Sequence, residues 1–278
     1  VATGLISQLD EELAPLVTRE QLLRVHEASY IDNLFDNSPA EGNVVALDPD
    51  TVMCWKTLDA ARRAAGATVH AVDRIMKGSA TRAFCNVRPP GHHATPDQAM
   101  GFCFFNNLAV GVAHALASYE IKRIAVIDFD IHHGNGTEAC FLEDARVKLC
   151  STYERNNFAS WFAYTSHERN IDIAVPPPVT GSRIKTVYQD HFLPALEQFK
   201  PQLVFVSAGF DGHRDDPLSN GLLDEDDYGW ITRQIVTVAN RHANGRIISV
   251  LEGGYDLAAL ARSAARHIAA LLDAGSAQ

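Results

Sequence analysis

Four short strings hold the residues able to do chemistry in this sequence. In DFDIHHGNG, Asp130 and His132 stand two apart, so in extended backbone they project to the same side. One carboxylate oxygen and one imidazole nitrogen suit a borderline metal such as zinc. Asp211, in GFDGHRDD, could supply a third ligand and leave positions open for water and substrate. Spacing alone equally allows Asp130 and His132 to pair with each other and cap a helix. In RPPGHHA, His92 and His93 are adjacent, and burying both would be costly without hydrogen bonds. Near a metal, one could accept a proton from water while the other supports it or supplies a proton. Asp128 could orient one of them and Asn135 the other; without a metal they read as loop histidines. In EGGYD, Gly253 and Gly254 allow a sharp turn before Tyr255, whose hydroxyl could donate to an oxyanion. Tyr255 could also be a simple aromatic at a helix start. In GFCFFNN, Phe102 could wall a narrow apolar slot, whereas Phe104 and Phe105 suit core packing equally well.

These strings need a frame that brings them together. The runs 83–87, 123–128, 147–150, 203–208 and 246–251 read as short buried strands. Helices are expected over 107–119, 136–143, 183–198, 226–241 and about 256–273. Strands alternating with helices argue for an α/β fold: an open, mostly parallel sheet with helices on both faces. No linker divides the chain, so residues 1–278 read as one domain. Upstream, residues 9–36 read as helical, with Leu9, Leu13 and Leu16 on one face and a capping box opening at Thr18. Residues 37–54 read as loop, and 57–76 as an Ala-rich helix interrupted near Gly66. In an open α/β sheet the ligand crevice lies beyond the carboxyl ends of the strands. RPPGHHA, DFDIHHGNG, GFDGHRDD and EGGYD each follow a strand, so they converge on a single site. The acidic run 224–227 reads as the first turn of a helix, favoured by its dipole. His133 is expected to face away from the site as support, and His213 has no assigned task.

Composition narrows the function classes. Lys and Arg total 24 against 34 Asp and Glu, a formal charge of -10. That argues against direct nucleic-acid binding, which needs a basic footprint, and leaves basic partners such as lysine-rich tails or polyamines open. No apolar run approaches the ~20 residues that cross a bilayer, and the first residues lack a signal-peptide pattern. The five cysteines are scattered with no CxxC, which argues against a zinc knuckle or a disulfide framework. A cytoplasmic location is the simplest expectation.

The strings RPPGHHA, GFCFFNN, DFDIHHGNGT, SAGFD and LEGGYD occur in one characteristic order. Through them, over about residues 18–273, the chain resembles the zinc-dependent histone deacetylase family of the arginase/deacetylase superfamily. Its bacterial amidohydrolases and acetylpolyamine amidohydrolases are included in that resemblance, and Asn135 matches the class II and bacterial branch. The resemblance implies zinc held by Asp130, His132 and Asp211, with His92 and His93 as the active-site pair. It places Asp128 behind His92, Asn135 behind His93, and Tyr255 as the transition-state tyrosine. It assigns Phe102 to an acyl-lysine tunnel and the Gly101 carbonyl to the substrate amide proton. It also implies potassium at an inner site with Asp128, Ser151 and Thr152, where the carbonyls of Asp130 and His132 contribute. A second potassium site would use backbone oxygens of Phe141, Asp144 and Val147.

Two departures accompany the resemblance. The family's amino-terminal strand and its His-Pro-Glu-x-Pro-x-Arg loop have no match, so the chain is expected to start after them. Residues 151–170 replace a Pro- and Gly-rich loop, leaving Phe158, Trp161 and Phe162 as alternatives for the opposite tunnel wall. The expected activity is zinc-dependent hydrolysis of N-acyl amides such as acetyl-lysine, with His93 as general base. Acetylated polyamines are the alternative substrate, and a non-catalytic acyl-amine or partner-binding protein the alternative function.

Overall fold

The computed structural model describes residues 4–162 and 170–273. A small antiparallel hairpin, β1 (Val44–Ala46) and β2 (Val52–Cys54), precedes the main sheet. That sheet contains β3 (Arg82–Cys85), β4 (Ile124–Asp128), β5 (Val147–Glu154), β6 (Ile171–Val175), β7 (Leu203–Ala208) and β8 (Ile247–Leu251). Its spatial order is β3-β8-β7-β4-β5-β6, and every neighbouring pair is parallel. β4, β7 and β8 are buried along their whole length, as apolar runs such as IAVID and LVFVSA require in a sheet covered on both faces.

Helices α1 (Arg19–Leu22), α2 (Ala28–Asp36), α3 (Thr57–Met76), α4 (Asn107–Ser118) and α5 (Asn135–Phe141) lie before or between the first strands. Helices α6 (Gly181–Val187), α7 (Leu193–Phe199), α8 (Glu225–His242) and α9 (Leu257–Leu272) follow. Packing of α3 against α4, and of α8 against α9, encloses separate apolar clusters that both include sheet residues. The register aligns Asp128 with Ser207 and Ala208 with Leu251, so β4, β7 and β8 release their chains side by side.

The structure revises several sequence-based elements. Residues 9–18 are not helical; α1 begins only after Thr18, whose capping box is present. The segment instead lies along α3, where Val17 N–H donates to Arg62 and the Arg63 guanidinium to Ala14. A Cβ at Gly66 would meet the Pro15 carbonyl at 2.0 Å, so this glycine admits the crossing chain without breaking α3. The expected loop over 37–54 contains the β1–β2 hairpin. β5 runs on to Glu154, and β6 was not expected at all. The helix expected over 183–198 is α6 and α7 joined through a wide π turn at 188–192 that buries Tyr188 and Phe192. Among the described residues no helix is long and apolar enough to cross a membrane, and all five cysteines are free.

A buried histidine makes the fold sensitive to acid. His267 Nδ1–H donates to the Thr232 hydroxyl, which itself donates to the Tyr228 carbonyl, and the Ser249 hydroxyl donates to His267 Nε2. Complete burial pushes His267 down to about 3 from 6.5. Between those values the unfolded chain binds a proton that the folded chain refuses, so stability falls as pH falls below 6.5. The cost is about 1.4 kcal/mol per pH unit. Urea unfolding of the wild type should therefore lose about 2 kcal/mol more than His267→Gln between pH 6.5 and pH 5. Equal losses in the two proteins would refute this account of His267.

Candidate active site

Each polar string leaves the carboxyl end of a strand. His92 and His93 lie between β3 and α4, Asp130–His133 between β4 and α5, Asp211 between β7 and α8, and Tyr255 between β8 and α9. His132 Nδ1 stands 3.1 Å from Asp130 Oδ1 and 3.0 Å from Asp211 Oδ2. One ligand atom from each of the three residues lies within 4.8 Å of the others, and all three are buried. Glycines permit this crowding: a Cβ at Gly253 would sit 2.0 Å from Asp211 Oδ2, and one at Gly209 2.0 Å from Asp130 Oδ2.

Backbone donors hold the carboxylates in place. Ile131 N–H donates to Asp211 Oδ1 (3.2 Å), and Gly253 N–H donates to Asp130 Oδ2 (2.9 Å). Burial and the charge on Asp130 push the Asp211 carboxyl up to about 6. Burial also opposes ionisation of Asp130, but His92 and His132 hold its carboxyl below the usual range. His132 rises to about 11: burial resists its charge, and Asp211 and Asp130 overcome that resistance. Two buried carboxylates facing one imidazole nitrogen, each fixed by an outer hydrogen bond, fit a divalent cation such as zinc.

The tandem histidines have unlike surroundings. His92 Nδ1 is 3.1 Å from Asp128 Oδ2, and its Nε2 is 3.8 Å from Asp130 Oδ2. Burial opposes its charge, yet Asp130 and Asp128 raise it to about 10. His93 Nδ1 donates to Asn135 Oδ1 at 2.8 Å, which leaves Nε2 with the lone pair. Burial and the His92 charge push His93 well below 6.5. The two rings are 4.0 Å apart, so at neutral pH the pair holds a cation next to a neutral base.

Apolar walls surround these groups. The Phe158 ring meets His93 edge-on at 5.1 Å, whereas Trp161 and Phe162 are 66% and 45% exposed. Phe102 lies 6.0 Å from the Tyr255 ring. Gly101 adopts φ +56°, and a Cβ there would strike the His93 ring at 2.5 Å. Gly254, at φ +137°, turns the chain into Tyr255, whose hydroxyl burial and the Asp211 and Asp130 charges keep protonated. Residues 163–169 of the expected loop lie outside the described residues.

Of the residues the resemblance linked to potassium, Ser151 pairs in register with Asp128, and its hydroxyl is buried without a hydrogen-bond partner. Thr152 follows it in β5, also buried. Phe141, Asp144 and Val147 form a turn in which Asp144 N–H donates to Phe141 and Val147 N–H to Asp144.

Two supporting carboxylates escaped the sequence reading. Glu252 Oε2 accepts from Gly91 N–H (2.7 Å) and His92 N–H (3.1 Å), pinning the tandem-histidine loop to β8. An acidic residue directly after a buried strand was the available signal. Asp216 Oδ2 accepts from Tyr255 N–H (2.6 Å) and Asp256 N–H (3.2 Å) and so fixes the Tyr255 turn. Its string GFDGHRDD gave no sign of that partner.

Residues 2–271 match the model of the histone deacetylase domain. A histone deacetylase-like amidohydrolase of Pseudomonas aeruginosa is 37% identical over 260 residues, which cover 91% of this chain and 68% of that protein. Type-2 histone deacetylase 2 of Dictyostelium discoideum is 34% identical; the match covers 93% of this chain and 18% of that much longer protein. The crystal structure of the HDA15 HD domain superposes with a TM-score of 0.87 at 30% identity, covering 95% of this chain and 76% of that one. The chain therefore belongs to the histone deacetylase family, whose members are enzymes that hydrolyse acyl amides.

Proposed function

We propose that this chain is a zinc-dependent deacetylase that hydrolyses acetyl-lysine or a similar acylated amine. The observation that supports this most is the pairing of two unlike histidines with a buried Asp130–His132–Asp211 ligand set at the carboxyl end of one parallel sheet. Zinc held by those three residues would polarise the acyl carbonyl and acidify water. His93 is the general base: it is neutral, and Asn135 fixes its free lone pair on Nε2. His92, paired with Asp128, stays cationic and stabilises developing negative charge. After proton uptake His93 returns that proton to the leaving amine. Tyr255, kept protonated, donates to the oxyanion.

Phe102 and Phe158 would flank the acyl-amine stem, with the Gly101 carbonyl accepting its amide proton. Potassium at the carbonyls of Asp128, Asp130 and His132 with Ser151 and Thr152 would meet the unpartnered Ser151 hydroxyl. The turn at Phe141, Asp144 and Val147 is the second candidate for potassium. Turnover of an acetyl-lysine peptide, run in parallel with acetylated polyamines, tests the substrate class. Higher kcat/KM on the peptide is expected; turnover of polyamines alone would replace that assignment. Tyr255→Phe should lower kcat by about 10²–10³ without changing metal content. Full turnover by a folded, zinc-loaded Tyr255→Phe protein would remove Tyr255 from the mechanism.

A further inference from the structure

A second cluster of ligand-type side chains lies outside the site just described. His133 Nε2 stands 3.2 Å from Glu138 Oε2 and 4.0 Å from Asp172 Oδ1. One ligand atom from each of the three lies within 4.8 Å of the others. They come from three separate elements: the β4–α5 connection, α5 and the edge strand β6. His133 is fully buried, and neither of its ring nitrogens has a hydrogen-bond partner. Asp172 Oδ1 is likewise without one. Buried polar atoms in native proteins nearly always find partners, and leaving one unsatisfied costs about 1–3 kcal/mol.

We propose that His133, Glu138 and Asp172 bind a second divalent metal ion of the class that prefers nitrogen and oxygen donors, such as zinc, cobalt or manganese. One neutral imidazole and two carboxylates supply the charge a divalent ion needs in a buried site. The separations of 3.2 and 4.0 Å suit donors placed about 2.0–2.2 Å from a common centre. The Tyr153 ring, 4.6 Å from His133, forms an apolar wall. The ion is structural: it fastens the edge strand β6 to α5 and to the connection that carries His132.

The test is a titration of the metal-stripped full chain with Co²⁺, followed by elemental analysis and thermal unfolding. The wild type should take up a second equivalent, and that equivalent should raise its Tm. Asp172→Asn and Glu138→Gln should each lose one equivalent and its Tm increment while keeping metal-dependent turnover. Asp211→Asn should lose the other equivalent, and turnover with it, so failure at one site is distinguishable from failure at the other. Should Asp172→Asn fail to fold, Glu138→Gln, which keeps the same volume, carries the test. Uptake of a single equivalent by the wild type, or unchanged stoichiometry in both variants, would overturn the proposal.

Discussion

Asp211→Asn is expected to lower kcat/KM by about 10³-fold or more and to release the active-site metal, since such an ion contributes several kcal/mol to charge stabilisation. The same substitution should leave the metal-free chain as stable as the wild type, or more stable. Asp211 is completely buried, faces His132 at 3.0 Å, and is pushed up to about 6 by burial and by Asp130. A carboxyl raised in this way is ionised at neutral pH only at a cost on the order of 1–3 kcal/mol. Asn removes the charge and keeps an oxygen for Ile131 N–H, whose bond to Asp211 is 3.2 Å long. Loss of metal affinity alongside retained or increased Tm of the stripped protein therefore marks a binding residue. A large fall in the Tm of the stripped protein would instead mark Asp211 as a structural residue.

His93→Ala and His92→Ala should separate catalysis from stability. Removing the neutral base should reduce kcat by about 10²–10⁴ with metal content unchanged and a stability loss of about 1–3 kcal/mol from the Asn135 oxygen it leaves unpaired. Removing His92 leaves Asp128, which it approaches at 3.1 Å, as an unpaired buried charge. Breaking such a pair typically costs about 3–5 kcal/mol, so this variant should show the greater loss in urea unfolding. The check is kcat on an acetyl-lysine peptide with metal-replete variants, together with their unfolding curves. His93→Ala within tenfold of wild type, with His92→Ala inactive, would reverse the assigned roles.

The sheet was legible because β4, β7 and β8 are buried on both faces, and double burial demands uninterrupted apolar runs. β6 was not, because only Val175 of its residues is fully buried; the rest of this edge strand is half-buried, and Asp172 interrupts its apolar pattern. The helix expected over 9–36 failed in its first ten residues because the leucine face is not buried: Leu13 is 83% exposed, Leu9 and Leu16 are half-buried, and Val17 is the buried contact. Spacing brought Asp130 and His132 together, although residues 130–132 form a bend and not extended chain: Asp130 Oδ1 accepts from His132 N–H at 2.8 Å, which holds the two side chains side by side. Asp211 reaches them only through the β4–β7 register, which no local pattern encodes. Likewise Glu252 and Asp216 act on backbone N–H groups some 160 and 40 residues distant. Such contacts leave no periodicity to read. The position of Phe158 against His93 depends on how the chain folds back after β5, so its neighbours Trp161 and Phe162 looked equivalent in sequence.

The most direct measurement is turnover of an acetyl-lysine peptide by the chain after complete metal removal and stoichiometric return of zinc. The account predicts no turnover in the stripped protein, recovery with zinc, and no recovery in Asp211→Asn. Turnover that persists in the stripped chain, or a folded wild-type protein that binds zinc at Asp130, His132 and Asp211 yet hydrolyses no acylated amine, would contradict it.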